Sequence, residues 1–471
     1  MRVKFLAAIT FAFALVCECV SGGAAPTKAF AASSRSNNAV EAPDYEYTIE
    51  KEASFSGEED DLTFDNGAAI LVDGDSYYLI GPDGKQIIKN EEIIGVESVG
   101  DGYYIVIVKD GKDEVNKTGL VDKKGKVLIP FDAAFIKYTT DDPKDAMFLE
   151  VGYAMEETTD KSQCFVYSAD NDYSLGPDED DTMYKGYGEV FSLDEEEMVK
   201  GIRITNGSRT AFNDLQDAFT VEDDDDTTTM YNAKGKKLWE SPEKSTVYMA
   251  KNAVIVSSSS GQQLIDSSGK VSYETKGYLH GLNGDDKRFT EKNDDEVTVI
   301  DIEGKQVLDK SYDKVTYASG GLYDVGSGSD EAIVDGSGKV VVEYSSGYTL
   351  KEVVPGYCVS RANNEYVVIK SGKQIVSLKN GVVDNLVFKD DSDKYYVLND
   401  EKFNLEIRSV RELAPALARA RMNDSAGVGL YDLFTGKQLL EDEYEEIHIA
   451  GDYIYAFADG TWTTYELELK D

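Results

Sequence analysis

The chain has 471 residues and a formal charge of -41, set by 89 acidic against 48 basic side chains. A single hydrophobic core stops growing at roughly 250–300 residues, so this length implies two domains or a long array of repeats. The charge repels phosphate backbones and anionic membrane surfaces, which argues against nucleic acid as a partner.

From the N-terminus, Met1-Arg2-Val3-Lys4 is a short positive segment, and Phe5 to Val16 is an uninterrupted apolar run too short to stay in a bilayer. Ala29-Phe30-Ala31 fits the small-x-small rule for cleavage before Ala32, with an earlier cut near Gly22 as the other choice. Residues 1–31 therefore read as a signal peptide, and the protein as secreted or on the cell surface. No membrane insertion is expected once the signal is removed. Cys17 and Cys19 raise the question of a lipid anchor, but Val16 and Glu18 stand where a small residue is usual, so none is expected. The mature chain then keeps Cys164 and Cys358, and the sequence does not say whether they pair. Residues 32–60, polar and then acidic, read as a linker.

Beyond that, 30 tyrosines, 41 glycines and only 9 prolines favour short strands between glycine-containing turns. One phrase recurs: a β run, a polar turn containing Gly-Lys, and a second β run. It appears at Gly84-Lys85, Gly125-Lys126, Gly235-Lys236, Gly269-Lys270, Gly304-Lys305, Gly338-Lys339, Gly372-Lys373 and Gly436-Lys437. Apolar residues on both sides of the turn signal a β-hairpin. From Gly235 to Gly372 the steps are 34, 35, 34 and 34 residues. The next, of 64, spans a degenerate copy at Tyr395-Tyr396-Val397-Leu398. One more period reaches Tyr465-Glu466-Leu467-Glu468-Leu469, the expected last strand. Such a period marks a repeat architecture.

Each unit holds about four strands. In residues 312–345 they are Lys314–Tyr317, Gly321–Val325, Glu331–Val334 and Val340–Val342. Residues 348–376 repeat the pattern. The Ala- and Arg-dense segment 406–422 looks helical, yet in repeat register Leu417 to Arg421 falls in the second-strand slot, and Pro415 opposes a helix interior. A lone unit cannot bury enough apolar surface to offset an ordering cost of roughly 1–2 kcal/mol per residue, so units must stack. The expected fold is all-β, with tandem repeats of about four short antiparallel strands, β-propeller-like. A β-solenoid is the alternative. Residues 236–471 form seven units, preceded by an irregular β-repeat region over 61–235. That region carries acidic loops at 178–181, 194–197 and 223–226.

The phrase Gly119-Leu120-Val121-Asp122 with Gly125-Lys126-Val127-Leu128-Ile129-Pro130 resembles the WG-type repeats of bacterial exported proteins. Val428-Gly429-Leu430-Tyr431-Asp432 with Gly436-Lys437 is similar to the same pattern, although the signature Trp is missing from nearly every copy. The resemblance implies an exported β-repeat protein with no assigned chemistry.

Catalytic constellations are scarce. His280 and His448 stand far apart, with no neighbouring Cys, which under-supplies a zinc site or a Ser-His-Asp triad. Gly326-Ser327-Gly328 lies in a polar turn rather than at a strand-to-helix elbow. Asp170-Asn171-Asp172 and the run Asp223 to Asp226 lack the Gly and terminal Glu of a calcium loop. Tyrosine pairs at 77–78, 103–104 and 395–396 could stack on sugars, but in a strand one of each pair faces the core. No residue is singled out as catalytic, cofactor-binding or metal-binding. The functional expectation is a binding module for an extracellular protein or glycan, with a structural scaffold second and a carboxylate glycosidase a distant third.

Overall fold

The computed structural model describes residues 44–470 apart from internal stretches, the longest of them 168–182. The expected signal peptide, Cys164 and Asp170-Asn171-Asp172 lie outside the described residues. Among the described residues the strands form eleven antiparallel sheets. Numbered along the chain, sheets 1 to 5 span 62–80, 93–133, 135–205, 213–240 and 246–275. Sheets 6 to 10 span 278–301, 314–344, 348–379, 381–405 and 407–444. The eleventh joins 446–470 to the strand Glu46–Ser56.

The expected strands of residues 312–345 are found as Lys314–Ser319, Leu322–Ser327, Asp330–Asp335 and Val340–Tyr344. The 406–422 segment is strand, with Leu417–Met422 in the second position of sheet 10.

In the four-stranded sheets the recurring Gly-Lys turn joins the third and fourth strands, and sheet 5 shows its mechanics. The Asp266 carboxylate accepts hydrogen bonds from the backbone N–H of Ser268 and of Lys270, at 2.9 and 3.1 Å. The Gly269 N–H donates to the Asp266 carbonyl at 2.9 Å. Gly269 sits at φ +81°, a conformation open to glycine at little steric cost. The pairing slips by one residue between Leu264 and Ile265, the bulge such turns produce. Asp122, Asn232, Asp301 and Asp335 repeat the side-chain bonds. The glycine has a second duty. A Cβ at Gly269 would stand 2.6 Å from the Leu238 carbonyl oxygen of sheet 4. At Gly125 it would meet the Ile87 carbonyl at 2.6 Å, and at Gly235 that of Lys200 at 2.4 Å. The period in the sequence is thus the period at which one sheet seats its turn against the outer edge of the one before.

Between sheets lie separate apolar cores. Ala68, Ile70 and Leu79 meet Ile93, Val96 and Val106 between sheets 1 and 2. Ala253, Ile255 and Leu264 meet Leu279, Phe289 and Ile300 between sheets 5 and 6. The boundary expected at residue 235 is bridged by the same kind of core, Ala218 and Met230 of sheet 4 against Val254 and Ile265 of sheet 5. Leading strands of neighbouring sheets lie against one another, as with Thr246–Ala250 on Tyr278–Leu282 and Ile407–Ala414 on Glu446–Ala450. They form the inner rim.

The array closes on itself. Sheet 11 packs on sheet 10 through Ile447, Ile454 and Ala456 against Leu417, Leu430 and Leu440. Its other face meets sheet 1 through Tyr455, Phe457 and Trp462 against Leu62, Ala69 and Ile80. A solenoid leaves its two ends apart, so closure makes this a propeller-like ring.

The closing strand falls in the expected linker. Glu46–Ser56 pairs with Thr461–Lys470 and supplies the fourth, outermost strand of sheet 11. The C-terminal strand therefore stands third in its sheet, not last. Tyr47 is buried, its N–H donates to the Asp432 carboxylate at 3.1 Å, and its hydroxyl donates to the Pro415 carbonyl at 2.7 Å. Phe55 stands against Gly84, taking toward sheet 1 the role that Leu238 takes toward sheet 5.

Candidate functional site

Turns from four consecutive sheets meet beside the closure. Gly451, Asp452 and Tyr453 come from the first hairpin of sheet 11, and Pro82 from the last turn of sheet 1. Ser98 to Tyr104 come from the first hairpin of sheet 2, and Lys144 from the loop of sheet 3. Together they enclose a cleft of about 140 Å³. Backbone bonds fix its walls. The Gly100 N–H donates to the Pro143 carbonyl at 2.9 Å, and the Lys123 N–H to the Gly102 carbonyl at 2.9 Å. Thr464 Oγ1 donates to the Pro82 carbonyl at 2.6 Å, which ties sheet 11 to sheet 1 under the cleft.

Three tyrosines set the chemistry. Burial, helped by the charges of Asp452 and Tyr453, pushes the Tyr104 phenol up to about 12. Burial also raises Tyr455, whose hydroxyl donates to the Ile80 carbonyl at 3.5 Å. Tyr453 is raised by burial and by Glu466, Glu52 and Asp452. All three stay protonated at neutral pH, so they donate and accept hydrogen bonds without acting as bases or nucleophiles. Asp452 is the one carboxylate among the lining residues, and Lys123 and Lys144 provide cations there. The cleft can therefore hold a small polar group against aromatic walls, and it falls short of the roughly 300 Å³ at which sites for whole small ligands begin.

The residues weighed in the sequence are scattered. His280 is exposed on the leading strand of sheet 6, while His448 is half-buried on the leading strand of sheet 11. Phe64 stacks on His448 with centroids 4.3 Å apart, and burial lowers the imidazole below its ordinary value. Cys358 is buried in the core between sheets 7 and 8. Asp223 and Asp226 close one hairpin of sheet 4, where the Asp226 N–H donates to the Asp223 carbonyl at 3.0 Å. Gly326 and Ser327 end a strand of sheet 7. Of the tyrosine pairs, 77–78 and 103–104 lie on strands of sheets 1 and 2, and Tyr395 and Tyr396 on sheet 9. Of the pairs on sheets 1 and 2, only Tyr104 lines the cleft. Among the described residues no group of three or more His, Cys, Asp or Glu is placed to hold a metal ion, and no helix is long and apolar enough to cross a membrane. Sequence reasoning missed the cleft because its walls are gathered from residues 82 to 455 by ring closure, and no local pattern records that.

No family model matches the chain, and no curated protein matches it. Among solved structures it is similar to one described as a eukaryotic initiation factor, at 10% identity over 87% of this chain and 97% of that one, with a TM-score of 0.39. The C-terminal WD40 domain of Sif2 is similar at 11% identity over 70% and 94%, with a TM-score of 0.28. BamB from Moraxella catarrhalis is similar at 13% identity over 59% and 91%, with a TM-score of 0.24. Scores this low carry no function across, and the fold rests on the sheets and their closure.

Proposed function

We propose that this chain is an exported, non-catalytic binding module of the WG-repeat type. Its cleft beside the ring closure takes one projecting group of an extracellular protein or glycan. The observation that carries the reading is the cleft itself, with neutral phenols on its walls and opposite charges at its margins. Hydrogen-bonding phenols over an aromatic surface suit a sugar ring or a polar side chain. The single carboxylate supports binding over glycoside hydrolysis, which uses a pair about 5–9.5 Å apart.

Screening glycan and peptide arrays with the protein, then repeating the screen with Tyr104→Phe and Asp452→Asn, tests this reading. Each variant should weaken a true cleft ligand about tenfold, the equivalent of one hydrogen bond of about 1.4 kcal/mol. Ligands bound equally by wild type and both variants would place recognition elsewhere. Turnover of a glycan by the wild type would overturn the non-catalytic reading.

A further inference from the structure

Four of the ten arginines in this acidic chain fall within residues 408–421, on the first two strands of sheet 10. Arg411 and Arg419 are register partners across those strands, and Ser409 pairs with Arg421 in the same unbroken stretch. Residues directly opposite in an antiparallel pair share a face, as do residues two apart. Arg411, Arg419 and Arg421 therefore project from one face. Like charges placed directly opposite are destabilising, so the sheet carries an arrangement that its own folding does not favour.

The neighbouring element supplies a single counter-charge. Glu446, on the leading strand of sheet 11, accepts a hydrogen bond from Arg419 and lies 3.6 Å from His448 Nε2. The acid beside Arg411 in sequence is spent elsewhere, since Glu412 Oε1 accepts the Ala416 N–H at 2.7 Å. Arg411 is exposed and Arg421 half-buried, and neither has a partner among the described residues. Three guanidiniums against one carboxylate leave two positive charges at the inner rim, where the leading strands of sheets 10 and 11 lie side by side. Beside them the His448 imidazole, neutral at neutral pH, lies stacked on Phe64.

We propose that this arginine face is an anion site for a dianionic phosphate group, carried as a monoester on a small ligand. A phosphomonoester brings nearly two negative charges and three acceptor oxygens at neutral pH, which balances the excess charge. Guanidiniums bind such oxygens through paired, charge-assisted hydrogen bonds. The Phe64–His448 stack gives the ester's organic part a surface to lie on. This site is separate from the tyrosine cleft, and either can fail without the other.

Calorimetric titration of the full chain with inorganic phosphate, with a hexose 6-phosphate and with phosphatidylcholine vesicles containing phosphatidic acid tests the site. The sugar phosphate should bind saturably and more tightly than orthophosphate, and sulfate should compete. Arg411→Gln and Arg421→Gln, each checked for native near-ultraviolet dichroism, should weaken binding about tenfold or more, while Lys236→Gln should not. The His448 imidazole resonance provides a second readout. Burial is the main cause that lowers its titration, Glu446 opposes it, and Arg419 and Arg411 lower it further, so a bound anion that neutralises the arginines should shift it upward. Arginine-dependent binding confined to the vesicles would keep the phosphate chemistry but assign it to a lipid headgroup, overturning the small-ligand form. No saturable binding at about 10 mM, or binding that both arginine variants retain in full, overturns the site.

Discussion

A Cβ at Gly269 would carry two costs, a left-handed backbone at φ +81° and an approach of 2.6 Å to the Leu238 carbonyl oxygen. Gly201 has φ +80° but nothing within 4 Å of the same position, so it separates the two. Gly201→Ala should cost about 1 kcal/mol, the backbone strain alone, and Gly269→Ala about 2–3 kcal/mol. Urea unfolding of both variants measures the gap, and equal losses would mean that the turn does not bear on the preceding sheet. Tyr104 makes a second test at this scale. Burial and the nearby charges hold its folded pKa at about 12, above the ordinary 10.0, so the unfolded chain releases that proton first. The stability it contributes is complete below pH 10 and drains away as pH rises from about 10 to about 12. Tyr104→Phe should flatten that decline and remove one late phenolate from the alkaline absorbance titration. A phenol titrating near pH 10 would mean that the cleft wall is wet.

The strand Glu46–Ser56 joins the two ends of the array, and its removal should do more than fray a terminus. Trp462 is 1% exposed, and its indole N–H donates to the Glu58 carbonyl at 3.1 Å just beyond that strand. Deleting residues 44–56 should redden Trp462 fluorescence and lower the melting temperature, and a peptide of residues 46–56 should restore both. Asp432→Ala would strip the buried Tyr47 N–H of its acceptor, at a cost of about 1–3 kcal/mol. An unchanged melt in both variants would show that the ring closes without its latch. This strand was hidden in the sequence for a physical reason. Its centre, Glu50-Lys51-Glu52, is exposed on the sheet edge, and only Tyr47 is fully buried, so the alternation that announces a strand is faint. Its partner lies some four hundred residues away, where no local rule reaches. The hairpins of sheets 4 to 7 were legible because Asp or Asn, Gly and Lys recur at turns whose geometry needs those residues. In the same way, the arginines of segment 406–422 were visible as composition, but their shared face became definite only with the register of Arg411 on Arg419.

For the whole molecule, the large negative charge is spread over a ring whose sheets are held by thin, separate apolar cores. Self-repulsion of that size works against every junction at once. The ion pairs that oppose it are mostly exposed, such as Lys85 with Asp83 and Lys437 with Glu46, and such pairs contribute about 0–1 kcal/mol each. Raising sodium chloride from about 10 mM to about 150 mM shortens the screening length from roughly 30 Å to roughly 8 Å. Repulsion between neighbouring sheets then fades, while contacts a few ångströms long persist. The melting temperature should therefore climb by several degrees over that range and level off above it. Sodium chloride is the salt to use, because sulfate would also strengthen apolar burial and confuse the cause. A melt that falls as chloride rises would mean that attractive pairs dominate the ring, and that its acidity serves solubility at no cost to the junctions.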